Sequence, residues 1–400
     1  MVPDSFSLDN LYQLHTLPLG LALASLGCWI GLLLGRGQFW RSDQRIEPIS
    51  SPLVQELENW PTICAVVPAR NEAGVIARSL GSLLNQDYPG KFTVILVDDQ
   101  SSDGTATIAG ETATQLGQSD RLQILSGQPL PPGWSGKLWA VEQGIQAAPS
   151  SDYLLLTDAD ISHAPLNLRQ LVVKAETESL DLVSLMVLLR CESGWEKLLI
   201  PAFVFFFQKL YPFRWVNTPN RPTAAAAGGC VLVKRETLVR AGGIAVVRQA
   251  LIDDCALAAA IKQVGGKIWL GLTTTTHSLR PYPNLETIWQ MVARTAFTQL
   301  HYSPWLLLGT LVGMAVIYLV PPLATLLGLV TQTWGVGAIG LLTWLLMSLS
   351  YYPTIRLYQL SPLWSFTLPL IALLYNLMTL DSALRHWRGV GGAWKGRVYG

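Results

Sequence analysis

Residues 17–35 (LPLGLALASLGCWIGLLLG) carry no charge over 19 positions, enough for a helix to cross about 30 Å of hydrocarbon. A cleaved leader fits poorly, because residues 1–16 hold no basic n-region and include the acids Asp4 and Asp9. Arg36, Arg41 and Arg45 follow at once, and such a flank prefers the cytoplasmic side. Further apolar runs occupy residues 304–330, 335–351 and 363–380. The first contains Pro321-Pro322, which removes two amide donors and predicts a kink or break. Full crossings by all of these runs would leave the C-terminal segment outside. Arg385, Arg388, Lys395 and Arg397 favour the inside, so one run is expected to be re-entrant or split. The expected organisation is a membrane anchor over 1–45, a cytosolic domain over 46–303, and a transmembrane region with a basic tail over 304–400. This describes a multi-pass membrane protein.

The chain is 50% hydrophobic and 14% charged with net charge +1, so bulk charge implies no nucleic-acid partner. Cys28, Cys64, Cys191, Cys230 and Cys255 match no zinc spacing and no disulfide framework. A reducing compartment is the simplest reading. Residues 198–213 (LLIPAFVFFFQKLYPF) are too short to span comfortably. They read either as an interfacial segment beside a lipid acceptor or as a core helix.

Between the apolar ends, strand and helix patterns alternate. Short apolar runs at 62–67, 92–97, 122–125 and 153–156 predict buried strands. Residues 73–84, 102–115 and 137–147 have helical spacing. This predicts an α/β domain with a mostly parallel sheet between helices. Ligands of such sheets bind beyond the carboxyl ends of the strands, and the acids cluster there.

Asp98 and Asp99 end the second strand, ahead of Ser101, Ser102 and Asp103. Ser102 or Asp103 can serve as a helix cap, which leaves Asp98 and Asp99 for base or ribose contacts. Asp158 and Asp160 follow the fourth strand. Two acids at this spacing suit Mg²⁺ or Mn²⁺ shared with substrate phosphates, or a solvated turn. Asp253 and Asp254 open a helical stretch, as macrodipole partners or with one as a general base. Lys137 opens another helix after Gly133-Trp134-Ser135-Gly136, a setting that suits a phosphate. Gly228-Gly229 suits close backbone approach to an acceptor. His163, His277 and His301 are isolated and receive no role, beyond a donor contact considered for His277 ahead of Arg280. Cys255 reads as packing, and Trp134 as a sugar platform or a core residue.

These segments together resemble the family 2 glycosyltransferases of the GT-A fold. Pro68, Arg70 and Glu72 stand in a V-P-A-x-N-E motif, whose glutamate contacts nucleotide in the family. Asp98 and Asp99 stand in the second motif, with Asp99 in the base-binding position. Gly136-Lys137, Ala140 and Gly144 match a G-K-x-x-A-x-x-x-G segment, and Asp158-x-Asp160 matches the metal motif. Asp253-Asp254-x-x-Leu257 resembles E-D-x-x-L, which puts the base at Asp254, with Asp253 replacing the usual Glu. The resemblance implies a GT-A, Rossmann-like domain, a nucleotide-sugar donor, bound Mg²⁺ or Mn²⁺, and inversion at the anomeric carbon.

At closer range the chain is similar to the hopene-associated glycosyltransferases, through Pro132 to Lys137, residues 224–229 before Cys230, and residues 292–300. That implies a membrane lipid acceptor and a bacterial inner membrane. A polymer synthase is disfavoured because Thr295, not Trp, follows Arg294. Arg294 is assigned to the donor diphosphate, or to lipid headgroups. A dinucleotide oxidoreductase would need G-x-G-x-x-G where Pro68 to Glu72 stand. A polyprenyl-phosphate sugar transferase and a non-catalytic membrane protein are the remaining alternatives.

Overall fold

The computed structural model describes residues 8–46, 57–389, 393–394 and 397–398, with side chains over 16–46 and 57–389. Asp4, used above against a cleaved leader, and Lys395, used for orientation, lie outside the described residues, as do the side chains of Asp9 and Arg397. The chain divides into two compact units. One holds residues 42–190, 211–282 and 392–400; the other holds residues 1–41, 191–210 and 283–391.

The first unit is an α/β domain. Its strands are β1 (Ile63–Ala69), β2 (Phe92–Asp98), β3 (Leu122–Ser126), β4 (Tyr153–Thr157), β5 (Ile161–His163), β6 (Leu182–Leu188), β7 (Cys230–Lys234) and β8 (Ile268–Ser278). They form one sheet in the order β3-β2-β1-β4-β7-β6-β8-β5. β3, β2, β1 and β4 pair in parallel, as do β6 and β8. β7 runs antiparallel to both of its neighbours, and β5 runs antiparallel to β8. β1 and β4 are almost wholly apolar because both faces are covered, and every residue of the two is buried.

The predicted parallel half is observed, with boundary shifts. Two helices start later than their spacing suggested, at Ile76 and Thr105. The residues ahead of them are stitched together instead. Asn71, Glu72 and Ala73 donate backbone N–H groups to Ser101 Oγ, Thr105 Oγ1 and the Asp103 carboxylate. Asp103 also accepts from the Thr105 backbone, a local turn bond ahead of the helix; the N-cap itself is Gly104, without a side-chain cap bond, and neither Ser102 nor Asp103 fills that position. The helix Gly136–Ala147 lies across β1 and β2. A Cβ on Gly144 would sit 2.4 Å from Val66 Cγ1 and 3.1 Å from Val97 Cγ2. The glycine of the G-K-x-x-A-x-x-x-G segment is therefore a packing requirement.

The second unit is helical. Thr16–Gly35, Pro304–Val330, Trp334–Leu357 and Pro362–Trp387 are each long and apolar enough to cross a membrane. The expected disturbance at Pro321-Pro322 is a π turn, Ala315–Leu319, inside the first of the later runs. Pro321 cannot donate to the carbonyl of Ile317, and Trp29 Nε1 takes that acceptor at 2.9 Å. Residues 198–210 of the ambiguous aromatic run lie in a helix, Gly194–Leu210, of this unit. Its Phe205 is fully buried against Tyr351. Arg36 donates to the carbonyls of Lys209 and Leu210 and so caps that helix.

The Gly144 contact is testable. Gly144→Val is expected to destabilise the α/β unit by about 3 kcal/mol through overpacking, seen as a lowered Tm of the solubilised full chain, whereas Gly110→Ala, with 3.6 Å of clearance to Ile124, should leave Tm nearly unchanged or raise it.

Candidate active site

The topology decides which loops meet. β1, β2, β4 and β8 end on one edge of the sheet, and β7 starts there because Cys230 pairs with Thr157. Residues 70–72, 99–103, 158–160, 228–229 and 279–280 therefore gather on that edge.

Three ionic groups order the site. In the first, Arg70 Nη1 donates to the Asp99 carbonyl at 2.6 Å and lies 3.6 Å from its carboxylate. Asp99 is buried, and its N–H binds the Ala69 carbonyl at 2.8 Å. Asp98 belongs to β2, and neighbouring strand positions point to opposite faces. Its buried Oδ1 has no hydrogen-bond partner among the described residues.

In the second group Arg280 joins two motifs. Its Nε lies 2.7 Å from Asp160 Oδ2, and its Nη2 lies 2.9 Å from Glu72 Oε1. Sequence reasoning named the neighbouring His277 and missed Arg280. The available indication was position, since Arg280 is a cation just past the carboxyl end of a long strand. Burial and the Asp158 charge raise the Asp160 carboxyl above its ordinary range, and Arg280 draws it back.

In the third group Lys137 Nζ lies 2.8 Å from Asp158 Oδ1 and 3.5 Å from Asp253 Oδ2. Burial alone would lower the Lys137 pKa, but Asp158, Asp253 and Asp254 push it up, so it is a permanent cation. Beside it, Asp254 Oδ2 accepts from Gly228 N–H at 2.8 Å, and its Oδ1 accepts from Cys255 N–H at 2.8 Å. A Cβ at 228 would stand in ordinary van der Waals contact with Lys137 Nζ and Asp254 Oδ2, at 3.4 and 3.5 Å. Burial and then Asp253 raise the Asp254 carboxyl from 3.8 to about 6, the range a general base needs at neutral pH. Pro68, Lys137, Asp158, Gly228, Asp253 and Asp254 line one cavity, with apolar walls from Leu138, Val141, Val247 and Leu257.

The other sequence candidates sort plainly. Trp134 packs edge-on against Trp139 with centroids 5.3 Å apart. Cys255 is buried, and Ala226 and Tyr211 are among its partners. Arg294 belongs to the helical unit, following the helix Leu285–Ala293, and is not among the side chains grouped here.

Among the described residues no cluster of three or more His, Cys, Asp or Glu side chains is arranged to hold a metal ion. Asp158 and Asp160 still have the right donor chemistry. Both are carboxylates, burial and then the Asp158 charge raise the Asp160 pKa, and the charges offsetting them are the side-chain cations of Lys137 and Arg280. Two carboxylates completed by phosphate and water oxygens suit a hard divalent cation.

Comparisons with known proteins give a family match over part of the chain. Residues 64–240 match the family model described as glycosyl transferase family 2. These residues form a family 2 glycosyltransferase domain. The matched stretch carries every motif from Pro68 to Asp160; Asp253, Asp254 and Arg280 lie beyond it, and the fold brings them back to the glycosyltransferase domain's strand ends.

A beta-monoglucosyldiacylglycerol synthase of Trichormus variabilis is 34% identical over 101 residues, 25% of this chain and 20% of that protein. The probable glycosyltransferase YdaM of Bacillus subtilis is 30% identical over 107 residues, 26% of this chain and 24% of that protein. The chain thus spans a quarter or less of the length of these relatives. A solved mannosyltransferase from Pyrobaculum calidifontis, in complex with GDP-Man and Mn²⁺, superposes with TM-score 0.54 at 18% identity over 92% of this chain and 99% of that one. That likeness shows the GT-A fold.

The raised Asp254 pKa has a stability consequence. The folded state binds this proton more tightly than the unfolded state, so stability is lost as pH rises from about 4 to about 6. Asp254→Asn is therefore expected to melt a few degrees higher than wild type at pH 7.5, the difference vanishing near pH 4 in a pH series of thermal melts.

Proposed function

We propose that this protein is a membrane-bound inverting glycosyltransferase that moves a sugar from a nucleotide-sugar donor to a lipid acceptor. The observation that carries this reading is the Lys137 group. One cation draws the Asp158 turn and the Asp253-Asp254 helix start into a single cavity. A donor-phosphate site and a candidate base are thereby adjacent. The family 2 domain supports the reaction class. The apolar helices support the membrane, and the relative named for glucosyldiacylglycerol synthesis supports a lipid acceptor. The basic flank Arg36, Arg41 and Arg45 supports a cytoplasmic catalytic domain.

Each residue then has a role. Asp99 and Glu72 hold the nucleoside, with Arg70 fixing Asp99 and Arg280 fixing Glu72. Lys137 faces the diphosphate once the donor displaces it from Asp158. Asp158 and Asp160 would hold Mg²⁺ or Mn²⁺, which supplies charge to offset the departing diphosphate. Asp254 accepts the proton of the acceptor hydroxyl. That oxygen bonds to the anomeric carbon as the bond to the diphosphate breaks, and nucleoside diphosphate leaves. A single base and no enzyme nucleophile give inversion.

The finer reading is a hopanoid-related acceptor. It rests on the resemblance carried by Pro132 to Lys137 and residues 224–229 and 292–300. Lipid analysis of a strain lacking the protein separates it from a polyprenyl phosphate or a diacylglycerol acceptor, because only one glycolipid class should disappear.

The direct test incubates purified full-length protein with UDP-glucose, UDP-galactose or GDP-mannose, Mg²⁺ or Mn²⁺, and total membrane lipids. Transfer to lipid from one donor is expected. Asp254→Asn should lose about two to four orders of magnitude in kcat while retaining donor binding. Near-normal turnover in that variant would remove Asp254 as the base. The wild-type rate should fall on the acid side with an apparent pKa of about 6, read from a kcat profile between pH 5 and 9.

A further inference from the structure

Beneath the site lies a buried polar chain that no step above uses. Thr276 Oγ1 lies 3.0 Å from Asn167 Oδ1, and Asn167 Nδ2 lies 3.0 Å from His163 Nδ1. His163 Nε2 lies 3.0 Å from Thr157 Oγ1, and Thr157 Oγ1 lies 2.8 Å from the Gly229 carbonyl. All four side chains are buried. They come from β8, the helix Asn167–Thr177, β5 and β4.

The direction of the chain follows from its last acceptor. A carbonyl oxygen can only accept, so the single Thr157 hydroxyl proton goes to Gly229. Thr157 must then accept from His163, which puts the imidazole proton on Nε2. Nδ1 is left as an acceptor and takes an N–H of Asn167. The Asn167 amide oxygen in turn accepts from Thr276. A second imidazole proton would meet the Asn167 amide group head-on, and burial already pushes the His163 pKa down to about 4. The adjacent residue, Gly228, donates its N–H to Asp254 Oδ2 at 2.8 Å.

We propose that Thr276, Asn167, His163 and Thr157 form a one-way hydrogen-bonded strut that sets the Gly228-Gly229 turn and, through it, positions the carboxylate of Asp254. These are positioning residues, and the proposal rests on the reading of Asp254 as the base. The strut also anchors the strand end that carries Asp158, since Thr157 immediately precedes it. Donor-side and acceptor-side groups thus share one buried reference. Ser184 holds the turn on its other side, through the N–H and carbonyl of Ala227 at 2.8 and 3.1 Å. Loss of the strut should therefore displace the turn without unravelling it.

Two measurements test this. The first needs no substrate. Full-length protein labelled with ¹⁵N-histidine has five imidazoles, and His163 is assigned by its loss in His163→Gln. The strut requires a neutral Nε2–H tautomer that does not titrate between pH 5 and 8. An Nδ1–H tautomer, or titration in that range, overturns it.

The second compares Thr157→Val with Thr157→Ser, using whichever of the three nucleotide sugars wild type transfers. Val should lower kcat about 10- to 100-fold at unchanged donor KM and move the acid limb to higher pH, because the Gly228 N–H no longer steadies the Asp254 anion. Ser, which keeps the hydroxyl, should restore kcat to within about threefold. A Val variant with wild-type kcat and acid limb, or a loss that appears equally in Ser, overturns the positioning role. If wild type transfers sugar from none of the donors, the glycosyltransferase reading fails, and the tautomer measurement still supports or overturns the strut by itself.

Discussion

Crowded negative charge is the constraint on which this site depends. Glu72, Asp98, Asp99, Asp158, Asp160, Asp253 and Asp254 all come to one edge of one sheet. Carboxylates gathered this closely repel one another and resist desolvation, and the raised pKa values of Asp160 and Asp254 record that cost. Arg70, Lys137 and Arg280 offset it, and two of these cations bridge acids from separate motifs. The ion pairs are therefore more than local decoration, because they hold the strand-end loops in register. An anionic donor would add still more negative charge. The edge thus calls for a further cation when a diphosphate binds, and the Asp158 and Asp160 carboxylates suit one.

The sheet makes this crowding affordable by placing rigid elements directly beneath the acids. Each acid sits at most a few residues past a buried strand or at the first turn of a helix, so its backbone has little freedom. Asp254 combines both effects. The helix start supplies Cys255 N–H and the turn before β7 supplies Gly228 N–H, while burial keeps the carboxyl basic. Anion stabilisation and proton affinity oppose each other here, and the balance falls near neutrality.

Much of this was legible in the chain. The parallel strands showed as short apolar runs because both faces of β1, β2 and β4 are covered, leaving no alternation to read. The motif acids were visible as carboxylates immediately after those runs. The second half of the sheet was not visible. β6, β7 and β8 are joined by long connections, and β7 runs against its neighbours, so no βαβ rhythm announces them. Arg280 was missed for that reason, because its place at the site depends on the direction of β8. His163 looked isolated because Thr157 and Asn167, which it touches, and Thr276 behind them come from three separate elements. The late helix starts at Ile76 and Thr105 escaped notice because the preceding N–H groups bond across loops rather than within their own helices.

The amino-acid sequence by itself determined the apolar spans, the α/β class, and the identity of the acids that tip the strands. Those properties follow from local composition and periodicity, which the chain carries wherever it is folded. Only the tertiary structure decided which acid meets which cation, that Arg280 rather than His277 enters the site, and that a neutral histidine stands beneath the turn holding Asp254. Those outcomes depend on strand order and direction, which bring residues more than a hundred positions apart, such as Asp160 and Arg280, within hydrogen-bond distance.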